Sequence, residues 1–179
     1  RIDNGVRHLK RDRPAQILEI GPFDGVSAHL MLDEIFTHPQ SRVTAIDPYL
    51  ADPTTPQVSD ATRTVFLDNV RAGGHEGRIT LIVERSSDAL PRLACASFDF
   101  VYIDGSHLAR HVLEDAVLSF PLISNGGVIG FDDYTWGDKA DPYGRPRPAI
   151  DAFEAGSGDQ RELTFTGRHL YYCGLVGLA

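Results

Sequence analysis

At 179 residues, 42% of them hydrophobic, the chain is long enough to bury one sizeable core and reads as a single domain over 1–179. Its formal charge of −8 argues against nucleic acid as a partner, since a phosphate backbone needs a basic face. Cys95 and Cys173 form no CxxC pair and no apolar run reaches the roughly 18 residues that cross a bilayer, so a soluble, cytoplasmic protein with no membrane partner is expected.

The opening RIDNGVRHLKRDRP carries charge but no apolar signal core. Gln16–Ile20 is a short apolar run and predicts the first strand. Val26–Thr37 carries Leu30, Leu32, Ile35 and Phe36 at helical spacing, with Pro39 beyond its end. Arg42–Asp47 predicts the second strand, and the polar loop LADPTTPQVSD follows it. A helix is expected from Ala61 to Arg71, stopped by Gly73-Gly74. Arg78–Val83 predicts a third strand and Asp88–Leu93 a short helix. Phe98–Ile103, Leu108–Ile123 and Val128–Phe131 then read as strand, helix and strand, with Gly126-Gly127 turning the chain before the last. DDYTWGDKADPYGRPRP is too irregular for a regular element, and long loops of this kind are usually functional. A helix at Ala149–Glu154 precedes two alternating runs, Glu162–Thr166 and Leu170–Val176, separated by Gly167. The whole predicts an α/β fold: a mostly parallel sheet, helices on both faces, and a C-terminal antiparallel hairpin.

Open parallel sheets bind ligands outside the carboxyl ends of their strands. Asp104 ends the fourth strand, and Asp132 and Asp133 end the fifth. If those strands are neighbours, roughly 5 Å apart, three carboxylates meet and repel one another unless a cation or protons join them. A hard divalent ion is the economical answer. At the first strand, LEIGPFDGVSAHL places Gly21 and Gly25 around a tight turn before a helix N-terminus, a place for a polar or anionic ligand. Asp47 ends the second strand, where a carboxylate can accept both hydroxyls of a ribose. Phe23 takes the position where a dinucleotide fold has its middle glycine, and its bulk opposes a pyrophosphate. Glu19 would repel a diphosphate too but suits an ammonium group. A ribose and a cationic amine without phosphate describe S-adenosylmethionine better than a nicotinamide dinucleotide. The plainer alternative is a tight turn beside a solvated aspartate.

These residues carry a resemblance. LEIGPFDGVSA resembles the first motif of class I S-adenosylmethionine-dependent methyltransferases, in the form seen in catechol O-methyltransferase and its relatives. ITLIVERSSDALPRL resembles their adenine-side segment. FDFVYIDGSHLARHVLEDAVLSFPLISNGGVIGFDDY is similar to the macrocin- and mycinamicin-type sugar O-methyltransferases. The likeness covers about Ala15 to Tyr134 and implies a Rossmann-like fold. It implies that Glu19, Gly21, Phe23, Gly25 and Ser27 surround the methionine portion of the cofactor, that Asp47 holds the ribose, and that Ser86 and Ser87 lie near the purine. Asp104, Asp132 and Asp133 would hold Mg²⁺ or another divalent cation, Asp104 also beside the cofactor and in the chemistry, and His107 would be the general base. Where this chain has Asp133 the catechol-type enzymes have Asn, and where it has Asp132 the sugar-type enzymes often have Glu.

Methyl transfer from a sulfonium to a hydroxyl needs a deprotonated oxygen, which a bound cation favours and a base completes. His107, three residues after Asp104, can face the same rim, although a lone helix-start histidine is more often simply solvated. His107 and His111 are four apart, a zinc spacing, but no third zinc ligand stands at suitable spacing. Glu114 and Asp115 read as a solvated helix face, and Asp24 as a solvent-facing turn residue. Tyr134, Trp136 and Tyr143 fit equally an acceptor wall and anchors for the loop. The leading expectation is an O-methyltransferase acting on a small-molecule acceptor, a sugar or natural product, with a homo-oligomer left open. Metal-free N- or C-methylation and a non-catalytic cofactor-binding module are the alternatives.

Overall fold

Apolar side chains alternate along each strand, so the sheet has two greasy faces and needs helices on both. The structure, a computed structural model, describes residue 9, residues 12–157, and the backbone of residues 161–166 and 170–175. Five parallel strands form its centre: β1 (Gln16–Ile20), β2 (Arg42–Ile46), β3 (Ile79–Ile82), β4 (Phe98–Ile103) and β5 (Ile123–Asp132). Between them run α1 (Val26–Leu30, continued as a π turn over Met31–Ile35), α2 (Asp60–Ala72), α3 (Ser86–Ala89) and α4 (Ala109–Ser119), and α5 (Arg147–Gly156) follows β5. Two more strands, β6 (Arg161–Thr166) and β7 (Leu170–Leu175), give the order β3-β2-β1-β4-β5-β7-β6, with β7 antiparallel to both β5 and β6. The expected turn at Gly167 and the residue Val176 lie outside the described residues.

The alternation sorts the core into two halves. Ile17, Val43, Ala45, Phe100 and Tyr102 face α1 and α2, where Met31, Leu32, Ile35, Phe66 and Val70 cover them. Leu18, Ile20, Val101, Ile103, Ile129 and Phe131 face the other way, against Leu90, Val112, Ala116, Ile150 and Phe153. No helix among the described residues is long and apolar enough to cross a membrane.

Several boundaries shift by a residue or two, the short helix expected at Asp88–Leu93 starts at Ser86, and three further boundaries differ for a clear local reason. The first helix stops at Ile35 because its last turn widens, with the Phe36 N–H reaching back five residues to the Met31 carbonyl at 2.7 Å. The fourth helix ends at Ser119, where Pro121 forces a 3₁₀ turn over Phe120–Leu122, a proline having no N–H for the helix ladder. Strand β5 starts five residues early, at Ile123, because Gly126-Gly127 form an irregularity within it: Phe98 pairs with Ile123, but Phe100 already pairs with Val128.

The sheet order reverses between β1 and β4, whose carboxyl ends stand side by side with Ile20 opposite Ile103. There the backbone closes tightly, and the Asp104 N–H donates to the Ile20 carbonyl at 2.9 Å. Gly21 has φ +82, and a Cβ there would sit 2.3 Å from the Asp104 carbonyl oxygen. Gly21→Ala should therefore lose on the order of 2–4 kcal/mol of folding free energy, from left-handed strain plus overpacking. Urea denaturation measures it, and a loss under about 1 kcal/mol would mean the two loops move apart freely.

A candidate cofactor cleft and its carboxylate cluster

A cleft of about 610 Å³ opens at this reversal point. Every parallel strand contributes to its wall from its carboxyl end: Gly21 and Phe23 after β1, Asp47 after β2, Ser86 and Ser87 after β3, Asp104 and His107 after β4, Asp132 and Asp133 at β5. Those positions match the expected site residues except three. Glu19, Gly25 and Ser27 do not line the cleft; they build the floor and frame of the turn behind it. The reason is strand alternation, which points Glu19 to the same side as Ile17, under α1. There Ser27 Oγ donates to Glu19 Oε1, while Oε2 is buried without a partner. Burial, with the charges of Asp47 and Asp24, pushes the Glu19 carboxyl up to about 7 against the opposing bond from Ser27. Gly25, at φ +86, ends the turn with its N–H on the Pro22 carbonyl at 2.7 Å.

Asp47 is almost wholly buried, and burial raises its pKa although the backbone N–H groups of Tyr49 and Phe23 donate to it. The Tyr49 bond is 2.7 Å long, and the Tyr49 hydroxyl returns to the Phe23 carbonyl at 3.3 Å. The carboxylate thereby joins the turns after β1 and β2.

At the other rim, one donor atom each from Asp104, His107 and Asp133 lies within 4.8 Å of the other two. His107 Nε2 is 2.9 Å from Asp133 Oδ2, and its Nδ1 is buried without a partner. Asp132 stands in the same wall, but its oxygens are engaged: Oδ2 accepts from the Tyr102 hydroxyl at 2.8 Å and Oδ1 from the Asp133 N–H at 2.7 Å. Burial and the charges of Asp132, Asp133 and Glu19 raise the Asp104 pKa well above the ordinary carboxylate value. The structure thus groups Asp104 and Asp133 with His107, whereas Asp132, expected as the third carboxylate of the set, stands beside them with its oxygens bonded to Tyr102 and the Asp133 N–H.

This chain matches the methyltransferase-domain family over residues 18–134. It belongs to that family. No curated protein sequence matches it closely enough to count as a relative. Among solved structures it is similar in fold to a protein from Corynebacterium glutamicum, with TM-score 0.72 and 18% identity over 98% of this chain and 78% of that one. It is also similar to the O-methyltransferase TomG of Streptomyces achromogenes, involved in tomaymycin synthesis and solved with S-adenosylmethionine, with TM-score 0.71 and 20% identity over 91% and 74% of the two chains. The O-methyltransferase of Bacillus cereus, in complex with S-adenosylhomocysteine, matches with TM-score 0.64 and 17% identity over 90% and 74%. The fold is the one these solved methyltransferases share.

Two parts of this methyltransferase's cleft escape a reading of the sequence. The first is a seam between the loop after β2 and the loop after β4. Arg110 Nε donates to His111 Nε2 at 3.1 Å, so the His111 proton is on Nδ1, 2.9 Å from Ser106 Oγ, and Ser106 bonds in turn to Asp52. Beside it, the His107 N–H donates to Thr54 Oγ1 at 3.1 Å. Burial works against the Asp52 charge, but hydrogen bonds from Ser106, Thr54 and Thr55 hold its carboxyl well below the usual range. His111 is therefore a structural link between the two loops. The second is Asp115, expected in solvent but only 3% exposed, bonded to Ser86 and on the cleft wall.

The three aromatics of the long loop divide their roles. Tyr134 is an anchor, donating to Asp151 Oδ1 at 2.8 Å beneath the Arg147 guanidinium. Trp136 packs edge-on against the His107 ring at 4.3 Å, and Tyr143 is exposed.

Burial pushes the Asp115 carboxyl from its ordinary 3.8 up to about 7, against the bond from Ser86. Between those values the folded chain keeps a proton the unfolded chain has lost, so stability falls as pH rises through the window. Asp115→Asn should melt higher than wild type above about pH 7 and nearly with it below about pH 4. Paired melting curves across that range test this, and a constant difference would place the charge in water.

Proposed function

We propose that this methyltransferase moves the methyl group of S-adenosylmethionine to a hydroxyl of a small molecule, a sugar or natural product, using a divalent cation and His107. The observation that carries the reading is the convergence of Asp104, His107 and Asp133 on the rim of a cleft whose far wall holds Asp47. The cleft suits the cofactor. Asp47 offers a buried carboxylate for the ribose, Ser86 and Ser87 border the purine side, and Gly21 leaves the wall bare of side chain. Glu19, beneath the turn with an orphaned oxygen, adds negative charge under a cationic amino group. The cluster suits a cation equally, since packed carboxylates raise one another's pKa unless positive charge relieves them. Asp104 and Asp133 would hold it, with Asp132 beside them in the wall.

When bound, the cofactor supplies an electrophilic methyl, and the cation polarises the hydroxyl oxygen and lowers its pKa. The chain's own residues do the rest. Asp104 and Asp133 fix where the hydroxyl can sit. His107 takes its proton as the oxygen forms its bond to the methyl carbon, and the carbon–sulfur bond breaks to leave S-adenosylhomocysteine. Asp133, 2.9 Å from Nε2, holds the imidazole in place and stabilises it once protonated. Trp136, against the ring, limits the water around it.

Three measurements test the reading. Asp47→Ala should weaken S-adenosylhomocysteine at least about tenfold in calorimetry, two charge-assisted hydrogen bonds contributing on the order of 1.5–3 kcal/mol each; unchanged affinity would remove Asp47 from the site. His107→Ala should keep that affinity within a few-fold while turnover of an acceptor found by screening falls about 10²–10⁴. Chelation of divalent ions should abolish turnover in the wild type, and full activity after chelation would exclude the cation.

A further inference from the structure

A second cluster lies away from the cleft, on the face covered by α1 and α2, and the reaction makes no use of it. His29 and Asp33 are four residues apart on α1, so they share a helix face. His75 comes from the turn between α2 and β3. One donor atom from each of the three lies within 4.8 Å of the other two, and none of these residues lines the cleft. His75 is 5% exposed, with Nε2 3.0 Å from Asp33 Oδ1 but not aligned for a hydrogen bond. His29 Nε2 is likewise buried and without a partner. The rings meet edge-on at 4.9 Å.

The surrounding backbone is shaped to admit them. Gly73 has an ordinary φ of −79, so no conformational need requires glycine there. A Cβ at that position would stand 2.2 Å from His29 Cε1 and 3.1 Å from His75 Cδ2. The glycine makes room for the two imidazoles. Asp33 sits within the π turn over Met31–Ile35, and such turns often mark functional sites. Arg78, whose charge acts on Asp33, makes its hydrogen bonds to the carbonyls of Phe36, His38 and Ser41 instead.

We infer that His29, Asp33 and His75 form a binding site for a borderline-soft divalent ion of the zinc class, distinct from the oxygen-donor site in the cleft. Two imidazoles and one carboxylate are zinc ligands, whereas magnesium takes oxygen. Around tetrahedral zinc, with bonds near 2.1 Å, donors stand about 3.4 Å apart. The present spacing reaches that by small side-chain rotations, and solvent takes the fourth position beside exposed Asp33. The ion would clamp the C-terminal half of α1 to the turn leading into β3.

Cobalt(II) tests the site, because its visible absorption reports tetrahedral nitrogen and oxygen coordination directly. The full chain is stripped with chelator, supplied with excess magnesium to fill the cleft carboxylates, and titrated with cobalt. One equivalent should bind with strong visible bands, and zinc should displace it and raise the melting temperature. Asp33→Ala, at an exposed helix position that should not disturb folding, and His75→Gln should each weaken cobalt at least tenfold, while Asp133→Asn leaves it unchanged. Circular dichroism checks the fold of each variant; should His75→Gln not fold, Asp33→Ala decides alone. The site is refuted if no tetrahedral bands form, if Asp33→Ala binds cobalt as wild type does, or if Asp133→Asn removes the bands.

Discussion

Where β1 and β4 end, their backbones come so close that Gly21 has no room for a methyl group. Much of the cleft follows from that contact. It brings Asp104 against the turn after β1, within the field of Glu19, and the turn after β4 then carries His107 toward Asp133. A side chain at position 21 would separate the two halves of the sheet at the place where a ligand needs both. Phe23, the bulky residue two positions on, takes the left-handed φ of +49 that glycine favours and stands in the cleft wall.

Strain and charge gather at the same strand ends. Three of the non-glycine residues with positive φ, Phe23, Tyr49 and Asp133, follow the ends of β1, β2 and β5, and Phe23 and Asp133 line the cleft. Such conformations persist only where surrounding contacts hold them, as the bonds of the Asp47 carboxylate hold the first two. Glu19 and Asp47 are buried acids and Asp104 a half-buried one, all three with raised pKa values. The fold therefore carries unfavourable local energy that a cationic ligand would relieve.

Strand positions were legible in the sequence because buried parallel strands announce themselves as short apolar runs bounded by turn residues, and the bounds of β1 and β4 come out as expected. Asp47, Asp104 and Asp133 were legible because position at a strand end locates a residue at the ligand-binding edge. Glu19 shows the limit: its place after Leu18 is plain, but its burial under α1 depends on which face that helix covers. Asp115 reads as polar on an amphipathic helix, and only the packing of α4 toward α3 and Ser86 turns it inward. The seam from Asp52 to His111 joins residues 59 positions apart, and the group of His29, Asp33 and His75 spans a similar distance, so no local pattern could show either.

That seam lowers the cost of binding. Asp52 and Thr54 reach across to Ser106 and His107, and both loops line the cleft. One side of the cavity is thus already shaped before any ligand arrives, and less loop ordering remains to be done on binding. Preorganisation of this kind strengthens binding without any new contact, because a molecule that enters does not have to order the two loops itself.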